Sequence, residues 1–300
     1  MILALAMILD AVMGEPRWLW GRITHPAILM GHAVEWIDKT LNNGPQKRIK
    51  GSAAMLILGG AALGLGWGLH WFGWGVDLLV IAILLAQKSL VDHVQAVADA
   101  LRISVGDARR ALARIVGRDT AAMEGHEIAR GAIESAAENL SDGVIAPAFW
   151  YLIGGLPGLL LYKITNTADS MIGYRNARYA EFGWAAARFD DLLNLIPARL
   201  TALLIALPHG LMRRWPEIAA EARLHRSPNA GWPEAAMARV LGAALSGPRS
   251  YSGEMRDYPY INASGLKHIG PDQIDAACAV LWRAWAVAVA VVLLLAVVLG

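Results

Sequence analysis

The stretch A-E-N-L-S-D-G-V-I-A-P-A-F-W-Y-L-I-G-G-L-P-G-L-L-L-Y-K-I-T-N-T-A-D-S-M-I-G-Y, residues 137–174, decides how this chain folds. From Val144 to Leu161 it is apolar and close to the ~20 residues that a membrane span needs. Gly154-Gly155-Leu156-Pro157-Gly158 cuts it in the middle. Glu138, Asn139 and Asp142 stand at one end, Asn166 and Asp169 at the other. A charged group beside hydrocarbon is costly unless it is paired or solvated. The stretch therefore reads as two re-entrant half-segments, because broken backbone at membrane depth is tolerated where protein buries it or where it lines a cavity. A single crossing would put Lys163, Arg175, Arg178 and Arg188 outside; two half-segments keep these cations cytoplasmic. Leu200–Leu207, preceded by Pro197 and Arg199, is a second apolar segment too short to cross.

The rest of the chain agrees with a membrane protein. Its 300 residues are 56% hydrophobic, with a mean hydropathy of +0.41, too apolar for an ordinary soluble domain. The expected fold is an all-α polytopic integral membrane protein, a single membrane-embedded catalytic domain over 1–300. About three full spans are expected, with re-entrant or half-buried apolar segments and cytoplasmic helices. The spans are Ser52–Phe72, a return from Val76 to Ala86 that continues as a helix past Leu101, and Cys278–Leu299. Residues 1–13, interrupted by Asp10, form a half-buried helix. Thr24 is placed to cap a helix from Pro26 to Leu41. Ser104-x-x-Asp107 resembles a capping box for a helix ending at Gly117, and another helix is expected from Met123 to Asn139. Pro233 sits near the start of a helix that Gly247-Pro248 stops. Residues 248–270 read as irregular, with a helix after Pro271. The basic loops 39–50 and 102–118 mark the cytoplasmic side, and Trp18, Trp20 and Trp36 suit the interfacial belt.

Several function classes are excluded. Cys278 is the single cysteine, so there is no intrachain disulfide framework and no thiolate metal site. The eight histidines contain no H-E-x-x-H pair, and no P-loop is present. The glycines at 64, 66 and 68 read as helix packing. No removable signal peptide is expected at the amino terminus, and no nucleic-acid partner is expected.

The chemistry concentrates between Gly117 and Ala206. Glu134, Glu138 and Asp142 are spaced by four and would share one face of a continuous helix. Like charges at that spacing repel, and a hard cation such as Mg²⁺ would remove the conflict; the alternative is a solvated acidic face. Asn166-x-x-Asp169 and Asp190-Asp191-x-x-Asn194 are two further acid–amide groups bracketing apolar segments, each also readable as a helix cap. Lys163, Arg175 and Arg188 interleave with them. Carboxylates for Mg²⁺ beside cations for phosphate oxygens suit a nucleoside triphosphate or a phosphate ester; the alternative for the arginines is contact with the membrane surface.

At these residues the sequence resembles the cobalamin-biosynthesis membrane enzymes called adenosylcobinamide-phosphate synthases. The matching text is G-R-D-T (117–120), A-E-N-L-S-D-G-V-I-A-P (137–147), Y-K-I-T-N-T-A-D-S-M-I-G-Y (162–174), F-G-W-A-A-A-R-F-D-D (182–191), I-P-A-R-L-T-A (196–202) and S-P-N-A-G-W-P-E-A-A-M-A (227–238). The G-E-P-R-W around Glu15 and His25-Pro26 are similar too, although Asp is commoner than Glu15 there. The resemblance is dense from 117 to 247 and loose over the final forty residues.

The resemblance implies ATP-dependent, Mg²⁺-dependent amide formation between adenosylcobyric acid and (R)-1-aminopropan-2-yl phosphate, or a related amino alcohol phosphate. The product is adenosylcobinamide phosphate. The expected location is the cell (inner) membrane, multi-pass, with the site facing the cytoplasm on the side the basic loops mark, and association with other cobalamin-pathway enzymes is open to it. Residue roles come from the chemistry. Glu138, Asp142, Asp169, Asp190 and Asp191 are the acid and base candidates, with Glu138, Asp142 and Asp169 as Mg²⁺ ligands. Lys163, Arg175 and Arg188 would bind phosphate, and Asn139, Asn166 and Asn194 would orient oxygens. Asn229 and Trp232 would line the corrinoid side. The rival readings are a Mg²⁺-dependent membrane prenyl- or phospho-transferase and a substrate transporter.

Overall fold

The computed structural model describes residues 1–251 and 254–299. Four helical runs are long and apolar enough to cross a membrane: Lys47–His70, Trp74–Ile103, Gly125–Ile172 and Pro271–Val298. The protein is an all-α polytopic membrane protein. Leu56, Ile57, Trp67, Trp71, Phe72 and Trp74 are exposed, which gives the first hairpin an apolar outer face and an aromatic end, as lipid contact requires.

The run Gly125–Ile172 does not pass straight through. It is helical over Gly125–Leu140, widens to a π-helix over Ser141–Ile145, and continues as Ala146–Ile172. Gly155 breaks that last helix with φ 59° and ψ −153°, a conformation that costs glycine little and other residues much. The chain then doubles back: a Cβ on Gly158 would lie 2.4 Å from the carbonyl oxygen of Trp150. Asn166 Nδ2 reaches Asp142 Oδ2 at 3.3 Å. In a continuous helix those residues would be ~36 Å apart. The limb before Gly155 rises only ~14 Å from Ala146, about half the hydrocarbon thickness. The fold-back falls at the G-G-L-P-G break read from the sequence. The other three runs match the three spans.

The chain divides into two compact units, Met1–Ala86 with Asp142–Asn194, and Gln87–Ser141 with Leu195–Gly300. In the first, Lys47–His70 packs along the fold-back helix, and Trp184–Leu193 and Pro26–Leu41 pack on the same pair. Gly66 allows this approach, since a Cβ there would meet Pro157 at 2.5 Å; Gly64 and Gly68 have open space. In the second, Pro271–Leu299 packs on Gln87–Ile103 and Gly125–Leu140, and Leu195–Ala206 packs on Gly231–Leu241.

Local differences have local causes. His25, not Thr24, caps the helix Pro26–Leu41, because its Nδ1 accepts from the Ala27 amide at 3.1 Å. The return helix stops at Leu84, where Leu85 is extended, and restarts at Gln87. Ser104 caps as expected, its hydroxyl accepting from Asp107 N at 3.0 Å, but that helix ends at Leu112. Gly242, with φ 61°, ends Gly231–Leu241 before Gly247-Pro248 is reached. The region 248–270, read as irregular, carries short strands: Arg249–Tyr251 pairs antiparallel with Glu254–Arg256, and Tyr260–Ile261 pairs antiparallel with Leu245–Ser246 just before it.

Candidate active site

The fold-back helix sets the first polar centre. Doubling back at Gly155 brings Asp142, at the start of the hairpin, beside Tyr162 and Asn166 on its return limb. Trp184–Leu193 packs across the hairpin and adds Asp190, Asp191 and Asn194. Asn166 Nδ2 donates to Asp142 Oδ2 at 3.3 Å and to Asp190 Oδ1 at 3.2 Å. Asn194 Nδ2 donates to Asp190 Oδ2 at 3.0 Å. The Tyr162 hydroxyl lies 3.1 Å from Asn194 Oδ1 and 3.2 Å from the Asp142 carbonyl oxygen. Tyr162 is fully buried, and Asp190 and Asn194 are buried. Asn166 thus bridges the two carboxylates, Asn194 adds a second donor to Asp190, and the phenol ties the hairpin limbs to the crossing helix.

Charges surround this core. Asp169 is within electrostatic reach of Asp190 and Asp191, and Lys163 of Asp142 and Glu15. Arg188 NH1 pairs with Asp191 Oδ2 at 3.2 Å, and Arg175 also acts on Asp191. Arg178 is held differently: it reaches the buried Asp38 at 2.6 Å, which also accepts from Tyr179 OH and Asn42. Asp142, Lys163, Asn166, Asp169, Arg175, Arg188, Asp190, Asp191 and Asn194 therefore belong to one unit. Only local spacing along the helix was visible for each group in the sequence. Tyr162 was missed as a site residue, since an aromatic inside an apolar run reads as core.

Glu138, Asn139, Asn229 and Trp232 belong to the second unit. Asn139 donates to Ser135 O at 2.9 Å, one helical turn back. Asn229 Oδ1 accepts from Arg199 at 3.2 Å, and the same guanidinium lies 4.7 Å over the Trp232 ring. Glu138, His225 and Glu234 bring ligand atoms within 4.8 Å of one another. Of the set Glu138, Asp142 and Asp169 read from the sequence, Glu138 lies with His225 and Glu234 in the second unit, and Asp142 and Asp169 lie with the Asn166–Asp190 group in the first. The helix widens at Ser141–Ile145, so i, i+4 spacing no longer holds one face across it.

Glu134 is also not part of an open acidic face. It is buried, with Oε2 2.9 Å from Arg118 NH1 and 3.2 Å from Arg249 NH1. Its Oε1 accepts from the Ser246 amide at 2.7 Å. Arg118 of the G-R-D-T segment thus has a structural partner 16 residues on, which local spacing does not show.

The CobD/Cbib protein family model matches residues 3–281. A cobalamin biosynthesis protein CobD from Brucella suis biovar 1 is 47% identical, covering 94% of this chain and 92% of its own length. One from Rhizobium meliloti is 47% identical over 96% of this chain and 94% of its own length. One from Halalkalibacterium halodurans is 42% identical over 93% and 90%. No solved structure matches the chain.

Proposed function

We propose, from the premise that this chain belongs to the CobD/Cbib family, that it is a cobalamin-biosynthesis enzyme of the membrane that joins a corrinoid carboxylate to an amino alcohol phosphate with ATP. The relatives' names supply cobalamin biosynthesis. The ligation itself rests on one observation: four aspartates, two amides and three cations gathered around the fold-back helix. The substrates on this reading are adenosylcobyric acid and (R)-1-aminopropan-2-yl phosphate or a close analogue.

A carboxylate is a poor acceptor for an amine until an oxygen becomes a leaving group. Transfer of the terminal phosphoryl group of ATP to the corrinoid carboxylate makes an acyl phosphate. The amine attacks the acyl carbon, the C–O bond to phosphate breaks, and phosphate and ADP leave. Holding the two substrates in register can itself lower the barrier by several kcal/mol. Lys163, Arg175 and Arg188 bind phosphate oxygens, with Asn166 and Asn194 fixing Asp142 and Asp190 between them. Asp190 has both oxygens engaged by amides; Asp142, Asp169 and Asp191 are the acids assigned to metal or proton. This donor set is all oxygen, without thiolate or imidazole, and so fits a hard cation such as Mg²⁺. Mg²⁺ held there would neutralise the charge on the phosphoryl group in transfer.

Oxygen-18 in the corrinoid carboxylate tests the route in a single turnover. One labelled oxygen is expected in inorganic phosphate. Label in AMP would replace the acyl phosphate by an acyl adenylate, and amide formed without any transfer would end the proposal of activation by ATP.

ATP requires the site to face the cytoplasm, and so does the cation distribution of the fold-back. Cysteine in place of the exposed Glu181 is therefore expected to resist an impermeant thiol reagent added outside intact cells and to react in inverted vesicles. Strong labelling from outside would put the site on the wrong side for ATP.

A further inference from the structure

We propose that Glu138 and Glu234 hold a hard divalent cation of the Mg²⁺ or Mn²⁺ class within the second unit, a site independent of the ligation reading. Glu234 is fully buried, and neither carboxylate oxygen accepts a hydrogen bond among the described residues. A carboxylate left in that state is expensive, so it calls for a partner that is itself a charge. Glu138 cannot be that partner, because two carboxylates only accept; their contact becomes a hydrogen bond only when one keeps a proton.

Arg249 acts on Glu234 electrostatically without forming an ion pair within 4.0 Å among those described. Both ion pairs that Arg118 and Arg249 make in this region go to Glu134. Glu134 and Glu138 both add negative charge around Glu234. His225 Nε2 is 3.5 Å from Glu234 Oε1, too long for a good hydrogen bond. His225 Nδ1 accepts from the Ser227 amide at 3.1 Å, so the neutral ring carries its proton on Nε2, facing Glu234. The imidazole is therefore an N–H donor to a ligand and not a ligand itself. Two carboxylates with an N–H donor behind one of them make an oxygen site, where Mg²⁺ and Mn²⁺ keep several waters. One bound cation satisfies both Glu234 oxygens and removes the repulsion between Glu138 and Glu234.

The test maps the cation by position and leaves activity aside. Fe²⁺ takes the place of Mg²⁺ or Mn²⁺ in the full-length protein in detergent, ascorbate and peroxide generate hydroxyl radicals at the bound iron, and backbone cuts are located by mass spectrometry. Cuts are expected beside Glu138, His225 and Glu234, suppressed by excess Mn²⁺. Loss of one carboxylate in E138Q or E234Q should weaken them by about tenfold or more. Melting curves of the variants report their fold, and the wild-type map stands without any variant. Absence of cuts in all three segments of the wild-type protein overturns the proposal, as do cuts that persist unchanged in both variants. A carboxylic acid C=O infrared band that remains in Mn²⁺-saturated wild-type protein and vanishes in E234Q also overturns it, since the pair would then hold a proton in place of a cation.

Discussion

Asparagine in place of Asp142 or of Asp169 is expected to lower the rate of amide formation by about two to three orders of magnitude in a folded protein, the usual cost of removing an electrostatic group at a reacting centre. Each change keeps the side-chain size and removes a charge. Asp142 accepts from Asn166 at 3.3 Å, and an asparagine there can still present an oxygen to that amide, so the hairpin stays closed. Asp190→Asn is a different experiment. Asp190 accepts from two amides, and an asparagine can offer an oxygen to only one while its own NH₂ opposes the other. That variant mixes lost charge with lost structure, which is why Asp142 and Asp169 carry the prediction. Single-turnover product formation measures the rate, and a melting curve in detergent separates catalysis from fold. Turnover within about threefold of wild type, far short of the loss expected at a reacting centre, would return the residue concerned to helix capping.

Glu134→Gln is expected to destabilise the second unit by about 3–5 kcal/mol, because removing one partner of a buried ion pair leaves uncompensated charge. Here two guanidiniums lose their carboxylate together. Arg118 and Arg249 are 7% and 10% exposed at the side chain, so water screens little of the effect. Glutamine retains an oxygen for the Ser246 amide, which isolates the charge from the hydrogen bond. The measurement is thermal or denaturant unfolding of the purified protein. Replacing Arg118 by Met alongside Glu134→Gln should recover part of the loss, since one orphaned charge is then gone. An unfolding midpoint equal to wild type in the single variant would show that Glu134 is not the counter-charge of these arginines.

Membrane class was legible in the residues because it depends on composition and run length, which solvent reads one segment at a time. The fold-back was legible for a similar reason: G-G-L-P-G at 154–158 breaks the helix, at Gly155. The acids and amides near Asn166 and Asp190 could be picked out because they stand at the ends of apolar segments, where only function or capping accounts for them. Their partners could not. Glu134 meets Ser246 across 112 residues, and Tyr162 meets Asn194 across 32; no periodicity encodes a contact between separate elements. The π-helix at Ser141–Ile145 was hidden too, since a spacing of four implies a shared face only while the helix keeps its pitch. Sequence alone determined which segments enter the membrane and where charge gathers. Tertiary structure decided which charges neutralise one another, because a buried charge is set by whatever lies within a few ångströms of it, and those neighbours arrive from distant parts of the chain.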